Sequence, residues 1–122
     1  MKWTTILLLL CVLTCGCGGG RIPPGVTVVD GFELNRYLGT WYEVARLDHP
    51  FERGLTHVKA TYSLNEDGSV RVQNQGHDPE KAEWKEAMGR AKFVGKETIG
   101  QLKVSFFRPF YGGYNIIELD PE

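Results

Sequence analysis

Three thiols lie close together at the start of the chain: Cys11, Cys15 and Cys17. A thiol offers nucleophilic attack, disulfide formation, metal ligation or acylation, and position decides among them. Lys2 supplies a positive start, Thr4 to Leu13 an apolar run, and Cys15-Gly16-Cys17 a small-residue boundary. That pattern is a secretory signal peptide, and its run is too short to span a bilayer. All three cysteines fall inside it or at its end. The folded part is therefore expected to hold no disulfide, thiolate nucleophile or cysteine-bound metal. His49, His57 and His77, with Asp48 and Asp78, fit no spacing that holds a metal. Ser63 and Ser105 have no His/Asp arrangement suited to attack on a carbonyl. The expectation is a binding protein with no cofactor and no metal, not an enzyme.

Leu13-Thr14-Cys15-Gly16-Cys17 resembles a bacterial lipobox, with Cys17 as the lipidated first residue of the mature chain and Cys15 as the fallback. Thr14 stands where leucine is usual, three before Cys17. Gly18-Gly19-Gly20 then reads as a flexible tether. Gly18, rather than Asp, follows Cys17. In Gram-negative lipoproteins that implies sorting to the outer membrane, with the protein anchored there by lipid and facing the periplasm. The division expected is a signal peptide over 1–16, lipidated cysteine and tether over 17–25, and one domain over 26–122.

The 122 residues carry a formal net charge of -1, with 42% hydrophobic and 24% charged side chains. That is the composition of one soluble globular domain. Without a basic stripe, nucleic acid is not expected as a partner.

The elements are read from alternation and turn chemistry. Asp30 with Glu33 forms a capping-box pattern for a helical turn over Gly31 to Tyr37. Gly39-Thr40-Trp41-Tyr42 opens a first strand on a tight turn, expected to run to about Leu47. A loop follows to Thr56. Val58, Ala60, Tyr62 and Leu64 alternate with polar residues as a half-buried second strand. Asn65-Glu66-Asp67-Gly68 is a hairpin turn into the strand carrying Val70, Val72 and Asn74. Gly76 to Glu83 reads as a loop, Trp84 to about Val94 as a strand, and Gln101 to Phe107 as the next. Arg108 to Gly113 reads as a stiff aromatic loop before a last strand, Tyr114 to about Leu119. Six antiparallel strands in up-and-down order follow, with no βαβ unit.

These runs resemble the lipocalin family. The likeness rests on Tyr37-Leu38-Gly39-Thr40-Trp41-Tyr42-Glu43, Phe51-Glu52-Arg53-Gly54, Ala60-Thr61-Tyr62-Ser63-Leu64, Leu102-Lys103-Val104-Ser105-Phe106-Phe107 and Pro109 to Asn115, and extends to Asp120. It implies an all-β, antiparallel up-and-down barrel of eight strands with one open end, and a fatty acid or lysophospholipid as ligand. It also implies two further strands, an arginine covering Trp41 and a packed helix, none of which occurs before Glu122. An incomplete barrel of about six strands is therefore expected, with both edges open to pairing, including with a second copy.

Within that frame Gly39, Trp41 and Asp120 are structural-motif residues, Trp41 plugging the closed end. Glu43 is expected either as a buried carboxyl or paired at the barrel floor, since an isolated buried charge is costly. Ala60, Tyr62, Val72, Asn74, Val104 and Phe106 form the alternating face expected to line a cavity. Trp84, Met88 and Tyr114 are further candidates, dependent on whether a bulge shifts the register of their strands. Phe51, Phe110 and Tyr111 are placed on loops at the open end.

Overall fold

The computed structural model describes residues 7–8, 21–48, 50 and 52–120. Cys11, Cys15, Cys17, the glycine tether, His49 and Phe51 lie outside these residues. A six-stranded antiparallel sheet dominates, in the order β2 (Gly39–Tyr42), β4 (Thr56–Leu64), β5 (Val70–Asp78), β6 (Glu83–Phe93), β7 (Gln101–Phe107) and β8 (Phe110–Asn115). Each strand pairs with its neighbour in sequence, as hairpin signals alone require. Two short strands, β1 (Leu7–Leu8) and β3 (Ala45–Arg46), pair in parallel beside it.

Four local readings change. The first strand ends at Tyr42 instead of running to Leu47, and Glu43 N–H donates to Val58 O at 2.9 Å as the chain turns away. The strand opened by Val70 runs through Gly76 to Asp78, so the loop after it is shorter than expected. The last strand is Phe110–Asn115, so four residues of the expected aromatic loop, Phe110 to Gly113, are strand, and Arg108-Pro109 alone form the turn. Gly112 and Gly113 pair with Val104 and Lys103 in a ladder, so these glycines lie in a strand and not in a turn. The helix is a single turn, α1 (Leu34–Tyr37), without a side-chain cap at Glu33. Gly31, at φ +72°, breaks the path from Asp30 into a helix, and Asp30 accepts from the Gly31 amide instead.

One end of the sheet is sealed by the segment before the helix. Gly100 N–H donates to Val29 O, Val29 N–H to Ile116 O, and Phe32 N–H to Thr98 O, each at 2.8 Å. Phe32, Tyr37, Trp41, Tyr62, Val70, Val72, Ala91, Leu102 and Ile116 form the buried core above this strap. β2 and β8 are not paired, so the barrel is open along one side. Among the described residues no helix is long and apolar enough to cross a membrane.

Candidate functional site

Pairing partners in an antiparallel ladder point to the same face. One row is Trp41, Ala60, Asn74 and Ala87. The next is Gly39, Tyr62, Val72 and Gly89, and below it lie Leu64, Val70, Ala91, Val104 and Gly112. Phe106 joins this face, because a Cβ added at Gly89 would lie 2.7 Å from its ring. Tyr114 joins it through its pairing with Leu102. Seven of the expected lining residues, Ala60, Tyr62, Val72, Asn74, Val104, Phe106 and Tyr114, therefore share one face.

Trp84 and Met88 do not. β5 and β6 pair without a break from Val70↔Ala91 to Asp78↔Glu83. With no bulge in this strand, Trp84 faces the same way as His77, and Met88 the same way as Gln73, on the opposite side of the sheet. Trp84 is 57% exposed there, with Lys59 Nζ 5.5 Å from its ring centre. The residues overlooked on the inner side are Ala87, Gly89 and Ala91. Their spacing at every second position, all small, is the signal that names the correct face.

The inner face is wrapped around itself. β4 and β8 are four strand spacings apart, about 19 Å along a flat sheet. Yet Tyr62 and Tyr114 hydroxyls lie 2.9 Å apart, and Tyr114 and Tyr37 hydroxyls 2.6 Å apart. Only strong curvature brings these side chains together. Trp41 Nε1 donates to Tyr37 O at 2.6 Å, and its ring lies 4.8 Å from that of Tyr37. The motif tryptophan thus plugs the sealed end, with Gly39 at φ +111° opening its strand. Asp120 is exposed, beyond the last strand.

Burial pushes all three tyrosine hydroxyls well above the usual phenol range, the neighbouring tyrosines adding to it. They stay neutral in the fold while an unfolded tyrosine ionises near pH 10. Stability from this cluster is complete below about pH 10 and is lost as pH rises further, because only the unfolded chain then releases these protons. In a spectrophotometric titration, Tyr37, Tyr62 and Tyr114 should ionise together with loss of the fold. Ionisation of all five tyrosines near pH 10 with the fold intact would contradict this.

At the opposite end the loop between β2 and β4 bends over the inner face. A Cβ added at Gly76 would lie 2.9 Å from Leu55 Cδ1, so the glycine makes room for that leucine. Arg46 fastens the loop. It donates to Glu43 Oε1 at 2.6 Å, to Glu52 O at 2.6 Å and to Leu55 O at 3.0 Å. Glu43 is therefore both nearly buried, its side chain 11% exposed, and paired, though with Arg46 at this end and not at the sealed floor. Arg46, Leu55 and Gly76 were not legible as a unit, because their contact depends on the loop's path. Between lid and tyrosines, Ala60 and Asn74 are half-buried and Ala87 is exposed. Tyr111 lies under Lys103 Nζ at 5.2 Å, and Phe110 is 77% exposed. Among the described residues no three His, Cys, Asp or Glu side chains gather as a metal site.

A curled antiparallel meander, sealed by a Gly-x-Trp strand at one end, is the form of the lipocalins, and the chain belongs to that family. Residues 32–122 match the lipocalin-like domain. The chain is 56% identical over 110 residues to the outer membrane lipoprotein Blc of Escherichia coli K12, covering 90% of this chain and 62% of that protein. It is 58% identical over 118 residues to the protein of the same name from Vibrio cholerae serotype O1, covering 96% and 68%. Apolipoprotein D of Cavia porcellus is 44% identical over 57 residues, covering 47% and 30%. The crystal structure of the cockroach allergen Per a 4 superposes with a TM-score of 0.62 at 20% identity, over 84% of this chain and 59% of that one. That likeness concerns the fold alone.

Proposed function

We propose that this chain is a lipid-anchored outer-membrane lipoprotein that holds one fatty acid or lysophospholipid against the inner face of the curled sheet, as a carrier and not a catalyst, in maintenance of the envelope. The observation that carries the reading is the row pattern. Small residues fill the inner side of β6 (Ala87, Gly89, Ala91), with Ala60 on β4, between apolar walls on β5 (Val72) and β7 (Val104, Phe106), closed below by aromatic rings. Such a surface rewards an alkyl chain, which needs contact area and no fixed hydrogen bonds. The relatives named outer membrane lipoproteins support the location.

Each buried methylene contributes about 0.8 kcal/mol, or about fourfold in affinity. Saturated fatty acids of increasing length, displacing a fluorescent fatty acid, should therefore bind progressively tighter. The gain should stop once the tail meets Tyr37, Tyr62 and Tyr114. Affinity independent of length from the shortest acid onward would reject burial of an acyl chain.

A further inference from the structure

The outer face of β5, β6 and β7 holds an arrangement that the inner cavity does not explain. Arg71 stands directly opposite Arg90, and Lys92 directly opposite Lys103. Like charges at paired positions weaken a sheet. Here two such pairs sit side by side, since Arg90 and Lys92 are two residues apart on one strand. Arg108, at the turn between β7 and β8, completes the group. An open cavity of about 250 Å³ lies among Asn65, Arg71, Met88, Arg90 and Arg108. Asp67 contacts Arg90 at 3.2 Å. Glu86, further along the face, is held by Gln73 and Gln75 at 2.9 and 3.1 Å. Among the described residues, Arg71 and Arg108 have no acidic partner. Beside Arg108, Phe107 and Phe110 are 74% and 77% exposed. The chain's net charge of -1 makes this face a local exception.

We propose that this face is a docking surface for a lipid bilayer, its guanidinium and ammonium groups meeting anionic lipid phosphates while Phe107 and Phe110 enter the interface. Charge complementarity selects that occupant. Paired cations are relieved by a dense layer of anions, and arginine binds phosphate through two parallel N–H donors. Exposed aromatic rings beside the charges suit the boundary between headgroups and acyl chains. The surface does not depend on what fills the inner cavity.

The test uses the full chain with Cys15→Ser and Cys17→Ser, so that no acyl anchor contributes. Binding to phosphatidylcholine vesicles is compared with binding to vesicles that also contain about 30% phosphatidylglycerol, whose surface potential attracts basic side chains. The apolar leader contributes to both, so the ratio is the readout. Each basic group near such a surface contributes about fivefold, so Arg71→Gln with Arg108→Gln should lower the preference for anionic vesicles about thirtyfold. The preference should fall steeply between about 0.05 and 0.5 M salt. Arg71→Lys with Arg108→Lys should retain most of it. Arg21→Gln with Lys81→Gln makes the same change in net charge elsewhere and should leave it intact. Equal binding to both vesicles overturns the proposal, as does an equal loss in the Arg21/Lys81 variant. Specific displacement by inorganic phosphate, beyond that by chloride at equal ionic strength, would mean a discrete phosphate pocket and would equally overturn it.

Discussion

Trp41→Ala should cost about 3–5 kcal/mol of stability, the range for removing a buried large aromatic. Trp41 is 6% exposed and lies against Tyr37 in the sealed end. Its loss opens a void there and also removes the donor to Tyr37 O. A buried carbonyl left without its partner costs a further 1–3 kcal/mol or so unless water enters. A domain's total stability is about 5–15 kcal/mol, so this single change removes a third or more. The melting temperature should fall by on the order of 15 °C. Trp41→Phe refills most of the volume and should lose much less. A measured loss below about 1 kcal/mol for the alanine variant would mean that Trp41 is not the plug of this end.

Cys17→Ser should move the protein from the membrane fraction to the soluble one. One acyl chain binds a bilayer with only about 10⁴ M⁻¹, so stable attachment needs the two or more chains of a lipidated N-terminus. Removing them takes away nearly all of the partition. What remains through the cationic face is salt-sensitive and should wash off at high ionic strength, which an acyl anchor does not. Mass spectrometry of the mature chain should lose an acyl-sized increment in the same variant. The same losses in Cys15→Ser alone would reassign the anchor. A mature chain that carries no acyl-sized mass increment on either Cys15 or Cys17 would remove the idea of acylation.

The success of the sequence reading followed the range of the interactions involved. The turn at Asn65 to Gly68 forms as read, with Gly68 N–H bonded to Asn65 O, because its residues suffice to make it. Six strands in sequential order followed from such local signals, and so did the shared face of Ala60, Tyr62, Val72 and Asn74. The reading failed where a distant partner decides. Arg108 to Gly113 has the composition of a loop, yet β7 offers a ladder to Gly112 and Gly113, and backbone pairing prevails over composition. Beyond Asn115 the chain continues not as a strand but toward the N-terminal strap, where Ile116 bonds to Gly100 and Val29. Trp84 and Met88 stood as weaker candidates for the interior, dependent on a bulge that the ladder of β5 and β6 does not contain. Ala87, Gly89 and Ala91 hold the inner side of that strand, and a Cβ added at Gly89 would lie 2.7 Å from the Phe106 ring.

The three tyrosine hydroxyls have a mechanical consequence. In a closed barrel a continuous backbone ladder fixes the circumference. Here β2 and β8 are unjoined, and phenol groups of fixed length act as stays across one end of the sheet. That end is a stiff neck. The other end is drawn in by a leucine on a loop, which is a softer hoop. The sheet is therefore tied across one end by side-chain hydroxyls and across the other by a loop. On the function proposed above, an acyl chain would be measured by its length against the tyrosines, while its head group would meet only the loop.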